Sequence, residues 1–131
     1  MKSILFAALL VFGALNLNAQ NTPAQTDITK VLKFTNDNYD MGKITYGKPT
    51  EFKVDIENIS AAPITIDNVM VGCGCTTPKY EKGQVIAPGA HASIVLGFNG
   101  AAVGNFTKMA TIFFNGNLNK QVSFHGEGVQ Q

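Results

Sequence analysis

The stretch Phe52-Lys53-Val54-Asp55-Ile56-Glu57-Asn58 has the strictest pattern in the chain. Its three apolar side chains alternate with three charged ones. Because successive side chains of a β-strand point to opposite faces, this period of two predicts a strand with one face in a core and one in water. A helix would need apolar residues three and four positions apart, and the stretch does not have them.

The chain on either side of this stretch is also typical of short strands. Turn signals such as Pro88-Gly89 and Asn115-Gly116 recur at intervals of roughly 8–12 residues, as in all-β domains. Residues 79–82 carry three charges, and we expect them to form an exposed loop. The other extended segments are 31–34, 39–44, 64–71, 85–86, 92–98, 106–114 and 118–124. The pattern predicts an all-β, two-sheet antiparallel β-sandwich of about seven strands, with a small closed barrel as the alternative.

The first 19 residues differ in character from the rest of the chain. Lys2 precedes an uninterrupted apolar run over 4–15, which is too short to span a bilayer, and Ala19 offers a small residue for cleavage before Gln20. This pattern predicts a signal peptide over 1–19, with a short N-terminal membrane anchor as the alternative. A polar, flexible linker is expected over 20–30, and the folded domain over 31–128.

Composition limits the partners of the mature chain. Without Lys2, nine lysines balance nine acidic residues, and the chain has no arginine. Arginine is the preferred side chain for phosphate and base edges, so its absence argues against nucleic-acid binding. The neutral balance argues against docking on an anionic membrane surface. After signal cleavage we expect no membrane span and a location in the periplasm or outside the cell.

The mature chain resembles the secreted bacterial domain-of-unknown-function-1573 family over nearly its whole length. The residues that carry the resemblance are Phe34, 40–44, 52–58, Pro63-Ile64, Cys73-Gly74-Cys75-Thr76, Pro88-Gly89, Phe98, 104–108, Asn115 and Gly126. The resemblance implies an immunoglobulin-like sandwich, related to domains of the abnormal-spindle, hydin and major-sperm-protein type. It also implies export, and it implies no activity.

The two cysteines, Cys73 and Cys75, are separated by one glycine. In an oxidising compartment we expect a disulfide between them, because Gly74 lets the chain bend enough to bring the sulfurs together. The ring is so small that loop entropy contributes only about 1.6 kcal/mol. Redox lability or shaping of the loop is therefore a better reason for such a bond than stability.

A soft-metal site is the alternative for the same loop. Thiolates favour copper(I) or zinc, but two of them are too few for a closed tetrahedral site. Met70 and His125 could complete the set with Cys73 and Cys75, since the strands that hold them are expected to run in the same direction.

Enzymatic motifs are missing from the sequence. There is no glycine-rich phosphate loop, no G-x-S-x-G turn and no pair of histidines at i and i+4. We therefore expect an exported, non-enzymatic binding or structural module without a cofactor. Its predicted partner is a protein that pairs with an exposed sheet edge. The alternative is a soft-metal or thiol-redox protein acting through Cys73-Gly74-Cys75.

Overall fold

The computed structural model describes residues 27–130. The predicted signal peptide 1–19 and residues 20–26 of the predicted linker lie outside them. Within the described residues the chain forms one short 3₁₀-helix, Ile28–Lys30, and nine β-strands. The strands are β1 (Leu32–Thr35), β2 (Asn38–Thr45), β3 (Thr50–Asn58), β4 (Ile64–Val71), β5 (Thr76–Lys79), β6 (Val85–Ile86), β7 (His91–Phe98), β8 (Gly104–Phe114) and β9 (Leu118–Val129).

These strands form two sheets. A four-stranded sheet has the order β1-β3-β7-β5, and a five-stranded sheet has the order β2-β9-β8-β4-β6. This confirms the predicted all-β sandwich. The sequence did not predict β5, which lies partly within the expected loop at 79–82, because it contains Pro78 and lacks apolar alternation. One pair, β2 with β9, is parallel.

The parallel pair arises where the chain passes from one sheet to the other. β1 pairs with β3 in the four-stranded sheet, and β2 pairs with β9 at the edge of the five-stranded sheet. Asn36 stands between them with a positive φ of 66°, and its side-chain amide donates to the Lys53 carbonyl at 3.0 Å. The chain thus changes sheets within two residues and continues alongside β9.

The stretch at 52–58 forms most of β3, in the register that its alternation predicts. Phe52, Val54 and Ile56 are buried and pair with Leu96, Ile94 and Ala92 of β7. Rings from both sheets meet in the interior: the centroid of Phe124 lies 5.3 Å from that of Phe52 and 5.7 Å from that of Phe98. The remaining buried apolar residues are Leu32, Ile44, Ile64, Ile66, Val69, Ile86, Phe106, Ala110, Ile112, Phe114 and Val122.

Asn58 is a fully buried polar residue at the end of β3. Its amide donates to the carbonyls of Ala62 and Ile86, both at 2.8 Å. Its side-chain oxygen accepts from the Ser60 N–H at 2.9 Å and from the Ser60 hydroxyl at 2.7 Å. Because Ile86 belongs to β6, this side chain joins the two sheets and fixes the turn that follows β3.

Ordered structure begins before residue 31, within the predicted linker 20–30. The Asp27 carboxylate accepts hydrogen bonds from the side chain and the backbone N–H of Thr29, and these bonds lower the pKa of Asp27. Asp27 thereby caps the 3₁₀-helix, whose Ile28 packs against the core. No helix within residues 27–130 is long and apolar enough to cross a membrane.

Candidate functional site

The connection from β4 to β5 contains both cysteines and carries the chain between the sheets. Cys73 and Cys75 are joined as a disulfide with their Cα atoms 5.3 Å apart, a separation within the usual range. The Thr76 N–H donates back to the Cys73 carbonyl at 3.4 Å and closes the turn. The oxidation state of the purified protein stays a prediction, which thiol titration would test.

A shallow cleft of 200 Å³ opens beside the disulfide. Its lining consists of Gly72, Cys73, Thr76 and the β8 residues 107–109. Both cysteines are half-buried. Cys73 lies on this cleft, whereas Cys75 packs against the core. Lys108 brings a positive charge to the lining, and no carboxylate contributes to it. Lys108 could not be identified from the sequence, because only the pairing of β4 with β8 brings it to the loop.

The structure does not assemble the four residues of the metal alternative. Met70 pairs with Thr111 and His125 pairs with Thr107, on opposite sides of β8. Four residues along the strand and two strand spacings place their Cα atoms about 16–17 Å apart. The two cysteine sulfurs are bonded to each other. Within residues 27–130, no three or more His, Cys, Asp or Glu side chains gather as a metal site.

His125 lies in a second shallow cleft, of 260 Å³, at the same end of the five-stranded sheet as the cysteine loop. Its imidazole Nε2 is 3.9 Å from Asp40 Oδ1 on β2, and Lys43 and Glu127 also line the cleft. The lining therefore mixes both signs of charge. His125 faces Asp40 and takes no part in the lining of the cleft beside Cys73.

The β5 edge of the four-stranded sheet offers no free amide to a partner strand. The Asn99 N–H donates to the Cys75 carbonyl at 3.0 Å, and this register points the peptide groups of Thr76 and Pro78 away from β7. Proline has no N–H. The Thr76 N–H is taken by Cys73. A partner along β5 would meet acceptors but no donors.

The outer strands β1, β6 and β2 are closed in other ways. β1 has four residues and β6 has two, and short edges limit strand addition. β2 is longer, but its register shifts between Asp40 and Lys43, and the Gly42 N–H turns back to Asp40 Oδ1 at 2.8 Å. Such a bulge bends an edge away from a partner.

The second half of β4 has an open edge. Residues 83–86 form backbone hydrogen bonds with residues 64–66 of β4. In the described structure, no strand pairs with residues 68–71 on the side of β4 that faces away from β8. The Val69 N–H on this side donates to Tyr80 Oη at 3.2 Å, and that hydroxyl donates to Asn68 Oδ1 at 2.9 Å. A side-chain hydroxyl thus occupies the place of a partner's carbonyl. Sequence reasoning missed Tyr80, which it placed in the exposed loop.

Apolar side chains are exposed beside the open edge. Met70 is 57% exposed, Val85 on the neighbouring β6 is 59% exposed, and Met109 on β8 is 49% exposed. The outer face of the four-stranded sheet differs, because β3 covers it with charged residues. The open edge of β4 therefore combines available peptide groups with an apolar flank, which is what strand addition requires.

The two sheets and their order define an immunoglobulin-like β-sandwich, a fold similar to that of PapD-like and major-sperm-protein domains. The chain belongs to the family described as "protein of unknown function (DUF1573)", which it matches over residues 32–128. The resemblance found in the sequence is confirmed. No curated protein matches the chain.

Solved structures similar to this chain agree on the fold. PapD-like domain 7 of human CEP192 has a TM-score of 0.61 at 8% identity, over 83% of this chain and 92% of that one. A protein of unknown function from Porphyromonas gingivalis W83 has a TM-score of 0.63 at 17% identity, over 74% of this chain and 46% of that one. A C. elegans MSP family member has a TM-score of 0.52 at 3% identity, over 76% of this chain and 99% of that one. The match thus spans about half of the P. gingivalis chain, and at these identities the likeness concerns the fold.

Proposed function

We propose that the chain is an exported, non-enzymatic module that binds a protein partner by adding the partner's strand to residues 68–71 of β4. The open edge of β4 carries this proposal. The signal-peptide pattern over 1–19 supports export to the periplasm or beyond the cell.

A partner strand would find three unused peptide groups on this edge. The Val69 N–H points away from β8, toward Tyr80. Because peptide groups alternate in direction along a strand, the Val69 carbonyl and the N–H and carbonyl of Val71 also point away from β8. Replacement of the Tyr80 hydroxyl would free a fourth group. Met70 and Val85 would contact side chains on one face of the added strand, so the partner segment has apolar residues at alternate positions.

The test uses a library of displayed random peptides, selected on the immobilised mature protein. The affinity of a selected peptide is then measured by calorimetry for the wild type and three variants. Met70→Lys places a charge beside the edge and should weaken binding about tenfold, or about 1.4 kcal/mol. Tyr80→Phe keeps the ring but removes the competing hydroxyl, so it should strengthen binding.

Val103→Lys is the matched control, because Val103 is 62% exposed and lies in the loop before β8, outside the open edge. This variant should bind as the wild type does. Amide hydrogen exchange should slow at Val69 and Val71 when the peptide binds. A library that yields no peptide, or a peptide that protects a different edge and ignores Met70→Lys, would contradict the proposal.

A further inference from the structure

The disulfide between Cys73 and Cys75 does not link a strand of one sheet to a strand of the other. It closes a ring of three residues inside a single connection. β4 pairs with β8, and β5 pairs with β7. Neither set of backbone pairs includes Cys73 or Cys75. We propose that this bond is a reactive disulfide that exchanges with thiols of exported peptides or proteins, and that Cys73 is the sulfur they attack. This proposal is independent of strand addition at β4.

Both cysteines are half-buried, but their surroundings differ. Cys73 lines the open cleft, and a Cβ placed on Gly72 or Gly74 would meet no atom within 4 Å. The chain on both sides of Cys73 therefore borders open space. Cys75 packs against the core. Since the rate of thiol–disulfide exchange depends on access to the attacked sulfur, attack at Cys73 is favoured.

Lys108 supplies positive charge to the same cleft. It lies on β8, where the register with β4 ends at Val71 opposite Ala110, so its position falls next to the cysteine loop. The ion pairs found among the described residues do not include Lys108. Its ammonium is thus available to attract an incoming thiolate and to stabilise the Cys73 thiolate after reduction.

Thr76 is placed to stabilise the leaving sulfur. Thr76 is buried, and its hydroxyl lies 3.8 Å from Cys75 Sγ, its hydrogen-bond partner among the described residues. A disulfide sulfur is a weak acceptor, whereas a thiolate is a charged one. The O–H donation from Thr76 to Cys75 therefore strengthens as the sulfur bond breaks.

The exchange proceeds in two balanced steps. A substrate thiolate attacks Cys73 Sγ, a bond forms between the substrate sulfur and Cys73, and the Cys73–Cys75 bond breaks with Cys75 leaving as a thiolate. A second substrate thiolate then attacks the substrate sulfur of this mixed disulfide, and Cys73 leaves as a thiolate. The substrate dithiol loses two electrons and two protons and becomes a disulfide. The protein takes up the electrons, and a disulfide oxidant must restore it for another round.

The first experiment uses the unaltered mature protein. It is equilibrated with mixtures of reduced and oxidised glutathione, quenched by alkylation and weighed by mass spectrometry. Structural disulfides resist reduction by glutathione, whereas reactive ones are reduced by it. We therefore expect most of the protein to have its disulfide reduced when reduced glutathione is in excess. A bond that stays oxidised there and opens only in dithiothreitol would overturn the proposal.

Single-cysteine variants test which sulfur reacts. Cys75→Ser leaves only Cys73, which should form a mixed disulfide with oxidised glutathione rapidly. Cys73→Ser leaves only Cys75, which should react several-fold more slowly. Equal rates would overturn the assignment of Cys73.

Lys108→Gln tests the charge. After reduction, alkylation of Cys73 by iodoacetamide at pH 7 should slow several-fold, because less of the thiol is ionised without the neighbouring ammonium. Lys82→Gln, an exposed lysine outside the cleft, is the matched control and should not change the rate. The Lys108→Gln and wild-type rates should converge at high pH, where every thiol is ionised. Equal rates for both lysine variants at pH 7 would overturn the role of Lys108.

Discussion

Asn58 ends the strictly alternating strand β3, and the alternation assigns it only an inward-facing position. The structure adds four hydrogen bonds to its side chain, from a turn and from the other sheet. The sequence could not predict these partners, because they depend on how β6 approaches β3 in three dimensions. The apolar residues of β3 needed no such partners, so their burial could be predicted from period two alone.

Asn58→Ala should therefore destabilise the protein far more than loss of an ordinary surface amide. It leaves the buried Ile86 carbonyl without its donor, at a cost of about 2–3 kcal/mol, whereas the Ala62 carbonyl keeps the Ser60 hydroxyl as a donor at 2.9 Å. Asn117→Ala, in the exposed hairpin turn, is the control and should change the free energy of unfolding by less than about 0.5 kcal/mol. Urea titrations measure both, and equal midpoints for the two variants would show that Asn58 does not join the sheets.

Elements differ in how well local sequence determined them. The Asn115-Gly116 hairpin was predicted from its turn residues, and both indeed have positive φ, at 49° and 74°. The end of β9 was not predicted: the sequence pattern stops near Gly126, but the strand continues to Val129. Glycine is a poor strand former, so the pattern fades where the backbone of a neighbouring loop comes closest.

Gly128 should not tolerate any side chain. A Cβ at this position would collide with the Ala102 carbonyl, which belongs to the backbone and cannot rotate away. We expect Gly128→Ala to lower the free energy of unfolding by about 3 kcal/mol. Gly72→Ala is the matched control, because its Cβ meets nothing within 4 Å, and it should change stability by less than about 0.5 kcal/mol. A lower melting temperature for Gly72→Ala than for Gly128→Ala would refute this close approach.

For the whole molecule, the sequence predicted the fold class and the position of the cysteine loop. It did not predict which edge is open, since that depends on where β6 stops covering β4 and where β5 joins β7. The predicted surface loop at 79–82 is instead partly strand, and its Tyr80 reaches back to β4. Features that depend on a single strand could be predicted from the sequence, whereas features that depend on the packing of three strands could not.

The exported protein should begin at Gln20. The positive residue Lys2, the apolar run over 4–15 and Ala19 are typical of a cleaved signal peptide. N-terminal sequencing of protein recovered from the periplasm or the medium measures this directly. Recovery of exported protein that still carries Met1 would contradict cleavage and favour the membrane-anchor alternative.

The sheets should remain assembled without the disulfide. The interior consists of apolar side chains from both sheets, together with Asn58 and Thr76, and the disulfide lies within one connection at the end of the sandwich. The double variant Cys73→Ser/Cys75→Ser should therefore lose only about 1–2 kcal/mol of unfolding free energy, as expected for so small a ring. It should lose less than Asn58→Ala, and its far-ultraviolet circular dichroism should match that of the wild type. A double variant that is unfolded at room temperature would show that the loop holds the sheets together, against the view that their shared core does.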